Sequence, residues 1–519
     1  MKKLKFLLLF TIVLSLLASV LAPTALAVPR SIANALEDPD AQAAAVILAE
    51  ASSGTVMYEK NADGRRDPAS VTKLMTVLLA VEAYERGDVT LEEKITVSEL
   101  ANFDVTDDSS TQNIKAGEII SFKDVLYCAL LASANEACNI IAERVAGTIP
   151  GFVQQMNARA RELGCTGTSF ANTHGLTDPN HYTTARDVYL IMNEVIKHPV
   201  MQEIMDETAY VVQATNLSNS RNLKNTNELK LQSSDYYYEP CKGGKTGTTE
   251  AAGHCLASYA QNDVMTLICV VLGAENTELE NGRTRQYSFY ESRRLFAWGF
   301  DNFSFRNILT TGDLVTKVDV AMGDGADSVN LVPEHAITAL LPNTLEVSAF
   351  KREIVIYSEQ SGQTVTAPIN EGEELGRMTI TLDGEEYGTV KLVANTGIGL
   401  MRRAYIMTNI RETLENPIVK TVSLVLIVIV LVYICLLIRY NILRARRRRE
   451  KRAYMRAMRE QMQQQELEQA RQGVRVPSRE EEAAAAATAA PRPGPYLEQR
   501  NQSGDKRPIT FDDFYNRTR

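Results

Sequence analysis

The 519-residue sequence predicts an α+β domain, then a small all-β module, one membrane-spanning helix and a charged tail. Three observations carry this. Strand-like runs sit at both ends of the first 300 or so residues with helical patterns between them, which implies a sheet closed by non-local pairing. From about Phe305 the texture changes to short alternating runs broken by Asp-Gly and Gly turns. Finally, Thr421–Ile438 holds 18 residues without a charge, about 27 Å of helix and close to a hydrocarbon core in thickness.

The elements follow in order. Residues 1–27 read as a secretory signal peptide, with Lys2, Lys3 and Lys5 ahead of the apolar Phe6–Ala22 and small residues at Ala25-Leu26-Ala27. Residues 31–303 form the expected α+β domain. In it "AAVILAEASSGTVMYEKN", residues 44–61, gives two strands about a Ser-Ser-Gly turn. Helical spacing then marks Lys73–Glu85, Phe122–Leu131, Glu136–Val145 and Phe152–Leu163. The strand-like "GGKTGTT", "GHCLASYA" and "VMTLICVVLGA" and a helix around Tyr290–Phe300 complete it. Residues 304–400 read as the β module, 401–417 as a linker and 418–438 as the span. Residues 439–519 read as a basic, partly disordered tail with a helix over Leu443–Gln472.

Charge divides along the same line. The chain carries −9 overall, yet residues 439–519 hold 19 Lys and Arg against 11 Asp and Glu. The region before the span is therefore strongly acidic, which argues against a nucleic-acid partner there. Eight Lys and Arg lie between Arg439 and Arg452, and such clusters stay cytoplasmic. The expected topology is a single-pass protein of a bacterial cell membrane with the folded domains outside and the tail inside. Lipid is then a partner of the span, anionic lipid of the basic cluster, and "ITFDDFYNRTR" leaves room for a cytoplasmic protein partner. Seven cysteines without a C-x-x-C pair, mostly in apolar stretches, read as buried free thiols.

Chemistry enters with "DPASVTKLMTVLLAVEAY", Asp67–Tyr84. Residues three apart on a helix share a face, so Lys73 can reach the oxygen of Ser70. A lysine in a first helical turn opposes the macrodipole. To act as a base at pH 7 it must shed a proton whose usual pKa is about 10.4, a cost of about 4.6 kcal/mol. Burial, the positive helix end and a second lysine all push that way. The bland alternative is a capping Ser70 with Lys73 snorkelling to solvent. "SANE", Ser133–Glu136, is in one reading a capping box; in the other Ser133 relays a proton and Asn135 holds a substrate amide. "GGKTGTT" is a strand glycine-rich enough for another backbone to approach. Lys245 would then face a terminal carboxylate, with Thr246 or Thr248 as hydroxyl donor. The amides of Ser70 and Thr248 would form an oxyanion hole. An ordinary glycine-rich edge strand is the alternative. S-x-x-K and S-x-N both recur elsewhere in the chain, whereas Lys245-Thr246-Gly247 is unique. The ordered triplet carries the weight.

With that triplet in place, "DPASVTKLMT", "ASANEACNIIAE", "FANTHGLTDPNHYTTARDV" and "GGKTGTTEAAGHCLAS" resemble the D-alanyl-D-alanine carboxypeptidases, the low-molecular-mass penicillin-binding proteins. The resemblance spans roughly residues 40–300 and extends weakly to about 400. It implies a β-lactamase/transpeptidase-like catalytic domain followed by a β-sandwich. It implies peptidoglycan stem peptides as substrate, β-lactams as inhibitors and an acyl-enzyme on Ser70. Lys73 would be the general base and Ser133 the proton relay, with Asn135, Lys245, Thr246, Gly247 and Thr248 binding substrate. The family also has an arginine before its last helix. "NGRTRQYSFYES" offers Arg283 or Arg285, at a spacing that departs from the pattern, and Arg285 is the choice. The span and tail depart further, since such proteins usually end in a short amphipathic membrane-surface helix.

Three other readings compete. "HGLTDPNH" could suggest a zinc peptidase, but no H-E-x-x-H accompanies it, so loop-ordering polar residues are preferred and no metal or cofactor is expected. A β-lactamase would share the triplet, but no E-x-x-L-N stretch follows Ser133. A membrane sensor of β-lactams or muropeptides would be acylated on the same serine without turnover.

Overall fold

The computed structural model describes residues 36–106, 109–471 and 473; the expected signal peptide and the far end of the tail lie outside them. The first strands are β1 (Ala45–Glu50) and β2 (Val56–Lys60), and a 3₁₀ turn, Ala69–Thr72, leads into α1 (Lys73–Glu85). Next come β3 (Lys94–Thr96), β4 (Ile119–Ser121), α2 (Phe122–Leu130), α3 (Asn135–Ala146) and α4 (Ile149–Glu162). Helices α5 (Ala185–Val195) and α6 (Pro199–Asp206) and the hairpin β5 (Ala209–Val212) and β6 (Arg221–Lys224) follow. The domain closes with β7 (Cys241–Thr249), β8 (Gly253–Gln261), β9 (Thr266–Ala274), the short pair β10 (Asn276–Glu278) and β11 (Thr284–Gln286), and α7 (Tyr287–Asn302).

The main sheet has the order β2-β1-β9-β8-β7, antiparallel throughout, so β1 of the N-terminal hairpin pairs with β9, more than 200 residues away. Strand period fixes its two faces. Ala45, Ile47 and Ala49 of β1 join Ile268, Val270 and Leu272 of β9 under the helices α1–α5. Val46 and Leu48 join Leu267, Cys269 and Val271 under Phe289, Leu295 and Phe296 of α7. This is the expected α+β layering, with β7 on the edge.

The β module holds β12 (Phe303–Leu309), β13 (Thr316–Ala321), β14 (Ser328–Pro333), β15 (Ile337–Pro342), β16 (Lys351–Ile356), β17 (Val365–Thr366), β18 (Glu374–Leu382) and β19 (Glu385–Ala394). A single helical turn, α8 (Tyr357–Ser361), interrupts them. A six-stranded sheet, β16-β18-β19-β14-β13-β17, and the pair β12-β15 share one apolar core of residues such as Leu309, Leu331, Leu341, Met378, Ile380 and Leu392.

Residues from Ile406 onward form a separate unit. Within the expected linker, residues 401–417, α9 (Arg402–Glu415) is helical, being free of Gly and Pro and rich in helix formers. The span and the tail helix are one continuous helix, α10 (Pro417–Arg471), since nothing after Pro417 breaks it. It is the one helix among the described residues long and apolar enough to cross a membrane, and its most apolar window is 0% buried. All seven cysteines are free, six buried and Cys435 exposed.

Candidate active site

Ser70 sits in the 3₁₀ turn ahead of α1, and Lys73 is the first residue of that helix. Lys73 is fully buried, so it does not snorkel. Its Nζ reaches Ser70 Oγ at 2.8 Å, Asn135 Oδ1 at 2.7 Å and the His174 carbonyl at 2.8 Å. Burial pulls its pKa down to about 8, against a smaller upward pull from Cys138 and Glu136. As an ammonium it satisfies three acceptors. As an amine it keeps two of them and leaves a lone pair for the Ser70 hydroxyl.

Lys245, on the edge strand β7, is also fully buried and donates to the Thr246 carbonyl at 2.8 Å. Burial first, and then the charge of Lys73, holds its pKa well below the usual lysine range. The glycines of β7 explain the close fit. A Cβ on Gly247 would stand 2.9 Å from the Ser70 amide nitrogen and 3.1 Å from the Pro68 carbonyl. Only a bare backbone can lie this close to the Ser70 amide. Thr248 is exposed, its hydroxyl 3.2 Å from His254 Nδ1, while the Thr246 hydroxyl meets that of Thr226 at 2.6 Å.

Two non-glycine residues at the site have left-handed backbone, Ala69 (φ 47°) and Ser133 (φ 64°). Such conformations are held only where surroundings over-determine them. Ser133 is buried, two residues ahead of Asn135. The capping-box reading of Ser133–Glu136 is incorrect. The N-cap of α3 is Ala134, with no side-chain cap, so Ser133 stands one residue too early. Glu136 turns instead to the preceding loop, accepting from Thr111 Oγ1 at 2.8 Å and the amides of Gln112 and Ile114 at 2.7 and 3.3 Å.

The "HGLTDPNH" loop is polar scaffolding. His181 Nδ1 accepts from the Ala171 amide at 3.0 Å, so its proton lies on Nε2, which donates to Thr72 Oγ1 at 2.8 Å. Thr72 Oγ1 in turn donates to the Ala69 carbonyl at 2.8 Å, pinning the strained turn beside Ser70. Burial, reinforced by His174, keeps His181 neutral with a pKa of about 4. The carboxylate and imidazole atoms of Glu82, Glu194 and His198 lie within 4.8 Å of one another, the one metal-type grouping among the described residues. There Arg159 already bridges Glu82 and Glu194 at 2.7 and 2.8 Å.

Arg283 and Arg285 make other contacts. Arg285, in β11, lies 4.6 Å from the ring centroid of Tyr290, and Arg283 pairs with Asp235 at 3.4 Å. Sequence reasoning missed the His174 carbonyl and the His181–Thr72–Ala69 chain, because a main-chain acceptor has no sequence signature. The loop's density of His, Asn, Asp and Thr was the available signal.

A family profile for D-alanyl-D-alanine carboxypeptidase matches residues 32–276, and one for the C-terminal domain of penicillin-binding protein 5 matches residues 303–399. The D-alanyl-D-alanine carboxypeptidase DacC of Escherichia coli (strain K12) is 32% identical over 369 residues, covering 70% of this chain and 85% of the relative. DacF of Bacillus subtilis (strain 168) is 29% identical over 375 residues, covering 72% and 90%. Among solved structures, penicillin-binding protein 5 from Haemophilus influenzae superposes with a TM-score of 0.52 at 28% identity, covering 70% of this chain and 99% of that one. The chain belongs to the D-alanyl-D-alanine carboxypeptidase family.

Proposed function

We propose that this protein is a serine-type D-Ala-D-Ala carboxypeptidase that removes the terminal D-alanine from peptidoglycan stem peptides through an acyl-enzyme on Ser70. The single observation that carries the residue assignment is Lys73, wholly buried, with a lowered pKa and 2.8 Å from Ser70 Oγ. As the Ser70 oxygen attacks the penultimate D-alanyl carbonyl, its proton passes to the neutral Lys73 amine. The developing oxyanion is held by the amides of Ser70 and Thr248. Collapse breaks the C–N bond, and the proton returns through Ser133 to the departing amine of D-alanine. Water then repeats the sequence on the ester, releasing the shortened peptide and restoring Ser70.

Two buried lysines in mutual repulsion suit this chemistry. A substrate carboxylate arriving at Lys245 favours its charged form. That restored charge in turn favours the neutral form of Lys73, so binding the correct terminus prepares the base. Asn135, Thr246 and Gly247 line the substrate, which extends along β7 as an added strand; Arg285 is the remaining carboxylate-side choice. β-Lactams acylate the same serine. Helix α10 anchors the protein in the membrane, with residues 439–519 inside, as the basic cluster after the apolar run favours.

The test is D-alanine release from a D-Ala-D-Ala-terminated pentapeptide by the purified full chain. Many turnovers per enzyme are expected. A single stoichiometric release would instead identify a sensor that stays acylated, and no release would overturn the assignment.

A further inference from the structure

One of the three acceptors around Lys73 is a main-chain carbonyl, His174 O, and what holds it reaches well beyond the sequence motifs. The His174 ring is 1% exposed. Its Nδ1 accepts from the Leu176 amide at 3.3 Å, so its proton lies on Nε2, which donates to Asp104 Oδ2 at 2.9 Å. Asp104 Oδ1 accepts from Asn139 Nδ2 at 2.8 Å, and Asn139 Oδ1 accepts from Thr173 Oγ1 at 2.6 Å. Asn139 lies one turn beyond Asn135 on α3, and Asn135 supplies the other fixed acceptor of Lys73. One carboxylate, from the loop after the 3₁₀ turn Glu99–Asn102, thus ties the His174 loop to α3.

We infer that Asp104 is a positioning residue for the base: by binding His174 and Asn139 together it fixes both acceptors of Lys73 and aims the amine at Ser70. The inference rests on the reading of Lys73 as the base. A neutral amine with two held acceptors has one direction left for its lone pair, and that direction is Ser70 Oγ. With the His174 carbonyl free to move, the amine rotates and the charged form loses a hydrogen-bond acceptor. Both effects have a signature. Misorientation lowers the maximal rate, and loss of an acceptor lowers the pKa of the ammonium.

Other groups facing Lys73 are Lys245 on β7, Glu136 and Cys138 on α3, and His181. None of these hydrogen-bonds to Asp104, which is a third exposed and outside the reacting set; the His174 ring alone loses its partner, which is the effect under test. The experiment measures benzylpenicillin acylation of the detergent-solubilised full chain against pH for wild type, Asp104→Ala and Asp104→Asn. Asp104→Ala should lower the plateau about tenfold or more and move the acid limb to lower pH. Asp104→Asn should fall between, because one amide oxygen satisfies only one of the two donors that Asp104 accepts. With peptide substrate, kcat should fall and KM should hold. A wild-type profile in Asp104→Ala, or an equal loss at every pH, overturns the inference. Should Asp104→Ala not fold, the acid limb of Asp104→Asn decides alone. Failure of the wild type itself to be acylated would refute the active-site reading instead.

Discussion

The α+β domain and the β module are both built on apolar cores, but among the described residues only the first buries charge. Lys73, Glu118, Glu136, Asp187, Lys245 and Glu291 are all buried there, while every buried residue of the β module is apolar or proline. Burying an ion costs several kcal/mol unless partners repay it. Some of these charges are repaid, as Glu118 is by Arg221 at 2.7 Å and Glu291 by Arg294. Lys73 and Lys245 are not paired with a carboxylate in this way; they oppose each other. The difference separates a region that stores unfavourable electrostatics for chemistry from one that is free to maximise packing.

The sharpest break is at the proposed nucleophile. Ser70→Ala should abolish labelling by fluorescent penicillin while the melting temperature stays near wild type, since Ser70 caps no helix. Next is the base. Lys73→Arg should lower acylation by about 10²–10⁴-fold, because arginine keeps its proton at any accessible pH. In wild type the acylation rate should climb as pH rises through about 8, where the lowered Lys73 pKa lies. A rate that is flat across that window contradicts the base assignment. Gly247→Ala should cost on the order of a hundredfold, because its Cβ displaces the Ser70 amide; soaking penicillin into crystals of the variant would reveal the shifted turn.

The β module should respond in the opposite manner. Leu392→Ala, fully buried among apolar neighbours, should cost about 2–5 kcal/mol of stability by urea titration and leave penicillin labelling unchanged below the transition. Loss of labelling in the folded variant would show that the module shapes the site. An effect of comparable size, confined to acid pH, belongs to His181. Its native pKa of about 4 lies below the usual 6.5, so the unfolded chain takes up the proton first. Stability is therefore fully present above about pH 6.5 and is lost as pH falls toward 4, by about 3 kcal/mol. His181→Gln should flatten that slope in urea titrations run at both ends of the window.

The contrast also governs what could be read without a structure. The two strands of residues 44–61, the α1 and α3 helices and the change of texture near Phe305 follow from apolar periodicity, which packing enforces. Helices α5 and α6 were not anticipated although Val188, Ile191, Met192 and Val195, and Met201, Ile204 and Met205, give them apolar faces; the hairpin β5–β6 escaped because its strands are four residues long and mostly unburied. At the site, Ser70 and Lys73 were legible because their spacing alone brings them together. Glu136 misled for the opposite reason: its three-residue spacing from Ser133 fits a cap, but its partners lie in a loop more than twenty residues earlier. Asp104 was invisible, since nothing in "ANFDVT" announces a histidine seventy residues on.

The central claim, that Ser70 carries the acyl group during turnover, is tested most directly by rapid-quench mass spectrometry. The full chain would be mixed with a D-Ala-D-Ala-terminated peptide, stopped in acid at intervals and digested. An acyl adduct should appear on the Ser70 peptide, rise to a steady level while D-alanine accumulates, and vanish as substrate runs out. D-alanine release with no adduct, or an adduct on Ser133 instead, would contradict it.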